Sequence, residues 1–285
     1  MVPLPATRPR LAVTLGDPRG IGPEVVRKAL AQPIEAEVTL VGRREAGGDL
    51  SEMEAGRFAG QAIEQAARLA LAGQVDAIVT GPVHKHALHV AGYRYPGVTE
   101  FLAHLAGDVP VAMMLTTGAL RVVLVTTHIA LRDVPVQLTT ERIVQTGRIT
   151  AEALCRWWGI AAPRLAVCAL NPHAGEGGLF GDEDERVLRP AAALLGAAGP
   201  LPADTVFVKA LRGDFDAVLA PYHDVGMTAV KVAGFGTGVN VTLGLPFIRT
   251  APDHGTALDI AGTGKADPGS MRAALELAVS LAGRR

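Results

Sequence analysis

A chain of 285 residues with 49% hydrophobic and 19% charged residues can bury the core of two ordinary domains or one large one, which excludes global disorder. Its 27 basic residues nearly cancel 28 acidic ones, for a formal charge of −1 with no block of like charge. With aromatics at only 4%, nothing favours nucleic acid or an anionic membrane surface as the partner, and an anionic ligand must be met by local groups.

The opening "MVPLPATRPR" lacks the apolar stretch of a signal peptide, and no apolar run approaches the ~18 residues of a membrane span, so a soluble, cytoplasmic protein is expected. "LAVTLGD" (11–17) reads as a buried strand and "GPEVVRKALAQ" (22–32) as a helix with Pro23 in its first turn. "EVTLVG" and "DAIVTGP" are further strands, separated by the helical "FAGQAIEQAARLALAG". The polar stretch at 42–56 is the one candidate for a flexible connection. "VAMMLTTG" (111–118) and "RVVLVTTHI" (121–129) read as adjacent strands of a hairpin, followed by a long helix opening near "TTERIVQTG" under a threonine cap with glutamate close behind. Then come strand "RLAVCAL", helix "DEDERVLRPAAALLG", strand "AVLAPY", an extended "GVNVTLGLPFI" and a closing helix near 268–283. Strands alternating with helical runs predict an α/β fold with a largely parallel sheet and no internal repeat. Cys155 and Cys168 fall in a helical and a strand pattern, and read as two buried thiols.

In α/β folds ligands gather at the carboxyl ends of strands. The exits here are "TLGDPRGIGPE", "TGPVHKHAL", "TTHIALRDVP", "NPHAGEGG" and "YHDVGMTAVK", each with glycine or proline beside polar residues, and three carry a single histidine: His128, His173 and His223. Three neutral imidazoles could hold a divalent ion with open positions, or each could be a hydrogen-bonded loop residue, because no two share a local ligand spacing. "GDPRGIGPE" is not a Walker motif; Pro18 and Pro23 remove amides from a would-be phosphate loop, and a tight strand-to-helix turn competes with it. Of five lysines, three lie in these loop-like motifs. Lys231 is a candidate cation for phosphate or carboxylate, and Arg249, behind the apolar "LGLPFI", a candidate bidentate anion contact.

"TLGDPRGIGPE", "TTHIALRDV", "LNPHAGEGG", "YHDVGM" and "VNVTLGLPFIRTAPDHGTALDIAG", in this order from residue 11 to about 271, resemble the 4-hydroxythreonine-4-phosphate dehydrogenase family of pyridoxal phosphate synthesis. "HGTALDIAGTGKADP" is also similar to the cofactor segment of isocitrate and isopropylmalate dehydrogenases, whose fold the family shares. The resemblance implies two α/β/α domains with a shared mixed sheet arrangement. Residues 1–100 plus 251–285 would form the cofactor side, and 101–250 the metal and dimer side. It implies a divalent ion (zinc, cobalt, manganese or magnesium) on His128, His173 and His223, in a homodimer whose active site lies at the subunit interface and takes one histidine from the other subunit. Substrate contacts fall on Thr99, Lys231, Asn240 and Arg249, polar roles near the metal on Asp204 and Asp224, and NAD or NADP contacts on Gly255, Thr256, Ala257 and Asp259. The implied activity is oxidation and decarboxylation of 4-phosphohydroxy-L-threonine, a small phosphorylated substrate, to 3-amino-2-oxopropyl phosphate.

The chain departs from the family pattern at "GVTE" (97–100), where Val98 replaces a substrate-contacting histidine, at Val225 in place of a common glutamine, and in a shortened 43–57 region. The alternatives are therefore a dehydrogenase of threonate or erythronate 4-phosphate, or, from another class, a transferase or non-catalytic phospho-ligand binder on the same fold.

Overall fold

The computed structural model describes residues 8–43 and 50–284. Ten strands are present among them: β1 (Arg10–Thr14), β2 (Glu37–Val41), β3 (Ala77–Thr80), β4 (Ala112–Thr117), β5 (Leu120–Leu124), β6 (Leu165–Cys168), β7 (Ala198–Leu201), β8 (Ala217–Ala220), β9 (Val239–Leu243) and β10 (Ile248–Pro252). The chain divides into two compact units, one of residues 1–109 with 245–285 and the other of residues 110–244.

The first unit carries four parallel strands in the order β2-β1-β3-β10, with Leu11 beside Ala77 and Ile248 also beside Ala77. β3 is buried at all four positions, as a parallel strand covered on both faces must be. Helices Gly22–Leu30 and Gly269–Ala282 pack on each other, and Glu52–Leu71 packs on β1 and β3. Helix Glu52–Leu71 starts sharply because Ser51 and Glu54 form a reciprocal capping box. The proposed flexible stretch at 42–56 is thus helical from residue 52, while its positions 44–49 lie outside the described residues. At the amino ends of β1 and β3, Arg10 clamps Asp76 through its backbone N–H and its guanidinium at 2.8–3.2 Å.

The second unit has the order β9-β4-β5-β8-β6-β7. β4 runs antiparallel to both β9 and β5, and β5, β8, β6 and β7 are parallel. β4 and β5 form the expected hairpin, turned by Gly118 at φ +53°. Helix Thr140–Trp158 is capped by the Thr139 hydroxyl and closed by left-handed Gly159. The N3 position is Arg142, so Glu141 closes no box. An apolar layer of Leu120, Val122, Leu124, Cys168, Val218 and Val230 lies beneath helices Ala203–Leu211 and His223–Ala233.

Several expectations need correction. Helix "DEDERVLRPAAALLG" opens as a π turn over Asp184–Leu188, because Pro190 offers no N–H to continue an α ladder, and becomes α-helical only over Arg189–Leu195. "GVNVTLGLPFI" breaks into β9 and β10 at Gly244, where φ is +92° and a Cβ would sit 2.2 Å from the Pro110 carbonyl oxygen. Cys155 is exposed, since the buried stripe of its helix runs through Val144, Gly147, Ala153, Leu154 and Trp158 on another face; only Cys168 is buried. "YHDVGMTAVK" is a helix and not a loop, as is the segment from Lys85 to Val90.

Candidate functional site

The three histidines of the second unit leave the carboxyl ends of β5, β8 and β6, which are neighbours in that order. The buried Thr126 hydroxyl donates to the Pro221 carbonyl at 2.7 Å, and Val125 N–H to the Ala220 carbonyl, so the exits of β5 and β8 are tied together. Sequence reasoning missed Thr126; the "TTH" triplet was its only signal. The His128 and His223 rings stand 5.6 Å apart between centroids. His223 opens its helix, and its Nδ1 lies 2.6 Å from Asp224 Oδ1. With the proton on Nδ1, Asp224 accepts its hydrogen bond and Nε2 keeps its lone pair, the tautomer a metal-ligating imidazole needs.

His173 sits on the next exit in an unusual backbone. From His173 through Gly177 five consecutive residues take positive φ, between 43° and 81°, and three of them are not glycine. Among the described residues no group of three His, Cys, Asp or Glu side chains closes on one point within the chain. The structure brings His128 and His223 together and leaves His173 exposed on the neighbouring exit. Lys231 lies eight residues after His223 on one helix, about 12 Å along its axis. Asn240, on β9, has a buried side-chain oxygen with no hydrogen-bond partner. Asp204 is exposed in the first turn of helix Ala203–Leu211, where an acid complements the helix dipole, and no hydrogen bond joins it to the histidines.

In the first unit, Arg249 is the buried cation. Its Nε and Nη2 both donate to the Thr80 hydroxyl, at 3.1 and 2.6 Å. Burial pushes the guanidinium down to about 10, against the attraction of Glu100. Thr99 is buried in the first turn of helix Val98–Leu105, and Val98, the residue before it, is half-buried. A guanidinium this deep is suited to an incoming anion.

The segment after β10 is built against the turn after β1. Ile21 N–H donates to the Thr256 carbonyl at 2.9 Å, and a Cβ on Gly20 would lie 2.7 Å from that oxygen. Thr256 is buried, Ala257 has φ +40°, and Gly255, Leu258 and Asp259 are exposed. Lys28 Nζ donates to the carbonyls of Gly264 and Ala266 at 2.7 Å and pairs with Glu24, fixing the far end of the segment. "GDPRGIGPE" is therefore the tight turn, held by the buried Asp17 under Arg19. His254, which the sequence reading left without a role, has a buried Nε2 with no partner. These features fit a loop shaped to take a ligand against exposed backbone.

The model of the family described as "Pyridoxal phosphate biosynthetic protein PdxA" matches residues 24–278. A relative named 4-hydroxythreonine-4-phosphate dehydrogenase, from Geobacter metallireducens, is 44% identical, the match covering 98% of this chain and 97% of that one. A relative named D-threonate 4-phosphate dehydrogenase, from Salmonella typhimurium, is 42% identical over 95% of this chain and 98% of that one. The crystal structure of 4-hydroxythreonine-4-phosphate dehydrogenase from Klebsiella pneumoniae superposes with a TM-score of 0.86 at 41% identity, covering 96% of this chain and 99% of that one. A β-decarboxylating dehydrogenase from Thermococcus kodakarensis, at TM-score 0.54 and 18% identity, shares the fold alone.

Proposed function

The chain belongs to the PdxA family of pyridoxal phosphate biosynthetic proteins, and from that premise we propose that this oxidoreductase is a metal-dependent 4-hydroxythreonine-4-phosphate dehydrogenase acting with NAD or NADP. The reaction so assigned is the oxidation and decarboxylation of 4-phosphohydroxy-L-threonine to 3-amino-2-oxopropyl phosphate, with carbon dioxide released. The single observation that carries this reading is the set of three histidines on adjacent strand exits, with two rings already 5.6 Å apart.

His128, His173 and His223 would hold the divalent ion, for which an all-imidazole set suits zinc, cobalt or manganese better than magnesium. When bound, the ion and the nicotinamide supply Lewis-acid polarisation of the reacting oxygen and a hydride acceptor. The chain's own groups do the rest. Asp224 holds the Nδ1 proton of His223 and so its orientation. Arg249, Thr99 and Lys231 meet the phosphate and carboxylate, and the orphaned Asn240 oxygen accepts from the substrate's ammonium or hydroxyl. Gly255, Thr256, Ala257 and Asp259 meet the cofactor, and Asp204 keeps no more than a peripheral polar role.

A homodimer completes the site. Leu131 and Val136 follow His128, Leu179 and Phe180 follow His173, and Val232 and Phe235 lie in the last turn of the helix that His223 begins and just beyond it; all six are exposed apolar side chains. Apolar surface around every metal-binding segment supports its burial by a second copy. The separation of about 12 Å between His223 and Lys231 along one helix also supports a site assembled from two chains. No described helix is long and apolar enough to cross a membrane, in keeping with a cytoplasmic enzyme.

A second reading is favoured by one residue. Val98 cannot donate a hydrogen bond, which suits a substrate carrying hydroxyl in place of the amine, such as D-threonate 4-phosphate. The test is NADH formation with each compound, with and without a chelator. Chelator-sensitive turnover of the hydroxythreonine phosphate is expected; turnover of the threonate phosphate alone moves the assignment to the second reading, and turnover insensitive to chelation removes the metal from it.

A further inference from the structure

We propose that Asp184 is the positioning residue for His173, a role that rests on the reading of His173 as a metal ligand. Asp184 is completely buried, yet its carboxylate meets no cation among its hydrogen-bond partners. Oδ1 accepts the Leu170 backbone N–H at 2.9 Å and Oδ2 accepts the Asn171 N–H at 3.0 Å. These two residues join β6 to His173, and Asp184 reaches them from 13 and 14 positions away. The neighbouring Glu183 repeats the tether, accepting from the Asn171 side chain at 2.8 Å.

The turn thus held is one that the backbone alone would not keep. His173, Ala174 and Glu176 take left-handed φ values of 52°, 56° and 43°, each unfavourable for a residue with a Cβ. Such a run persists only where surrounding bonds over-determine it. Within the turn, Ala174 N–H reaches the Asn171 carbonyl and Phe180 N–H the Gly175 carbonyl, so Asn171 is the point through which Asp184 governs the arc. Glycines allow the approach: a Cβ on Gly181 would lie 2.7 Å from both the Asn171 amide nitrogen and a Glu183 oxygen. Burying a carboxylate whose hydrogen bonds are two backbone N–H groups, with Arg189 felt only through its charge, is costly unless the geometry it fixes is needed. The need is the aim of one imidazole. Cys168, at the end of β6, takes no part: burial first and Asp184 second push its thiol up to about 12, so it stays protonated.

The test uses the full-length dimer and cobalt(II) as probe, followed by its visible absorption. In Asp184→Asn the amide keeps the shape but turns a donor toward one backbone N–H. Metal affinity should fall about 10–100-fold, the range for groups that orient ligands, and turnover should recover at saturating cobalt, raising the apparent KM for metal and leaving kcat nearly intact. A merely structural role would lower the melting temperature and leave the affinity of the folded protein unchanged; that result overturns the proposal. Should Asp184→Asn fail to fold, Glu183→Ala removes only the second tether, and a several-fold loss of affinity is expected; unchanged affinity again overturns it. His173→Ala separates the two levels. If it binds cobalt as the parent does, the reading of His173 as a ligand fails and takes this inference with it. If it loses cobalt while Asp184→Asn does not, only the inference falls.

Discussion

Thr80→Val removes one hydroxyl and nothing else, and its consequence can be worked from the Arg249 environment. The hydroxyl accepts two guanidinium N–H bonds, at 3.1 and 2.6 Å, in a place where Arg249 is 4% exposed. Valine matches threonine in shape, so no cavity opens; the change leaves buried donors of a charged group facing a methyl. Hydrogen bonds to charged groups contribute about 1.5–3 kcal/mol each, and because both bonds share one acceptor, a loss of about 2–3 kcal/mol is expected. For a unit of 150–250 residues that is roughly 4–12 °C in melting temperature. The assay is thermal unfolding with and without inorganic phosphate. An anion that reaches Arg249 replaces the missing acceptor, so phosphate should stabilise Thr80→Val more than the parent. A melting temperature within about 1 °C of the parent, or a phosphate response no larger, would refute the view that Thr80 satisfies a guanidinium kept ready for an anion.

Other substitutions test other links. Gly226→Ala places a Cβ 2.6 Å from Leu124 and 3.0 Å from Val122, lifting the helix that His223 begins off β5; overpacking of this kind costs about 1–3 kcal/mol, and cobalt affinity should fall with stability, whereas loss of stability alone would detach His223 from metal binding. Asp216→Asn breaks the clamp in which Arg164 donates to Asp216 at 2.7, 3.2 and 3.0 Å, and should lower the urea midpoint modestly at neutral pH, as an exposed ion pair does, without changing turnover. Burial alone would raise the Asp216 carboxyl, but Arg164 outweighs it and holds the group below the usual aspartate range. Its contribution is therefore present above the unfolded pKa and lost as pH falls through the lower folded one, so urea midpoints of variant and parent should converge in acid. Val98→His should raise kcat/KM for 4-phosphohydroxythreonine relative to threonate 4-phosphate by roughly 5–150-fold, the equivalent of about 1–3 kcal/mol for one restored polar contact; an unchanged ratio would clear Val98 of any part in choosing the substrate.

Much of the fold is legible because its signals are local. Thr139 marks a helix start by chemistry that needs no partner beyond a few residues, whereas the equally local Ser51–Glu54 box lies inside the stretch that reads as flexible. The apolar runs of β1, β3, β6 and β8 announce buried parallel strands, and strand exits carrying His128, His173 and His223 follow from that reading. What the sequence could not supply is adjacency. That β5, β8 and β6 stand side by side is a property of topology, and it is adjacency that turns three scattered histidines into one edge. The π turn before Pro190, the helical course of "YHDVGMTAVK" and the exposure of Cys155 were likewise settled by packing. Thr126, Thr80 and Asp184 escaped notice for a related reason: each is an ordinary residue whose importance lies in a bond to a distant part of the chain.

The two ends of the strands are finished differently. At the amino ends the same device occurs twice without any repeat in sequence: Arg10 clamps Asp76 across β1 and β3, and Arg164 clamps Asp216 across β6 and β8, each with two guanidinium bonds and a backbone N–H. Both pairs are answered within the chain, and the two clamps read as stability. Three features of another kind stand out: the Asn240 oxygen within β9 and His254 Nε2 just beyond β10, both without a partner, and the left-handed arc at His173 beyond β6. Trp157 shows that an unpartnered buried atom is not by itself a sign of function, since its Nε1 is equally alone beneath a structural helix. The other three differ from it in lying within segments whose residue types already pointed to an ion, a cofactor or a phosphorylated substrate. A folded chain tolerates an unmet bond or a strained arc where something outside it supplies the missing partner. By that reasoning the arc at His173, whose approach Asp184 fixes through two backbone N–H groups, is the feature of this chain that the proposed ion would best account for.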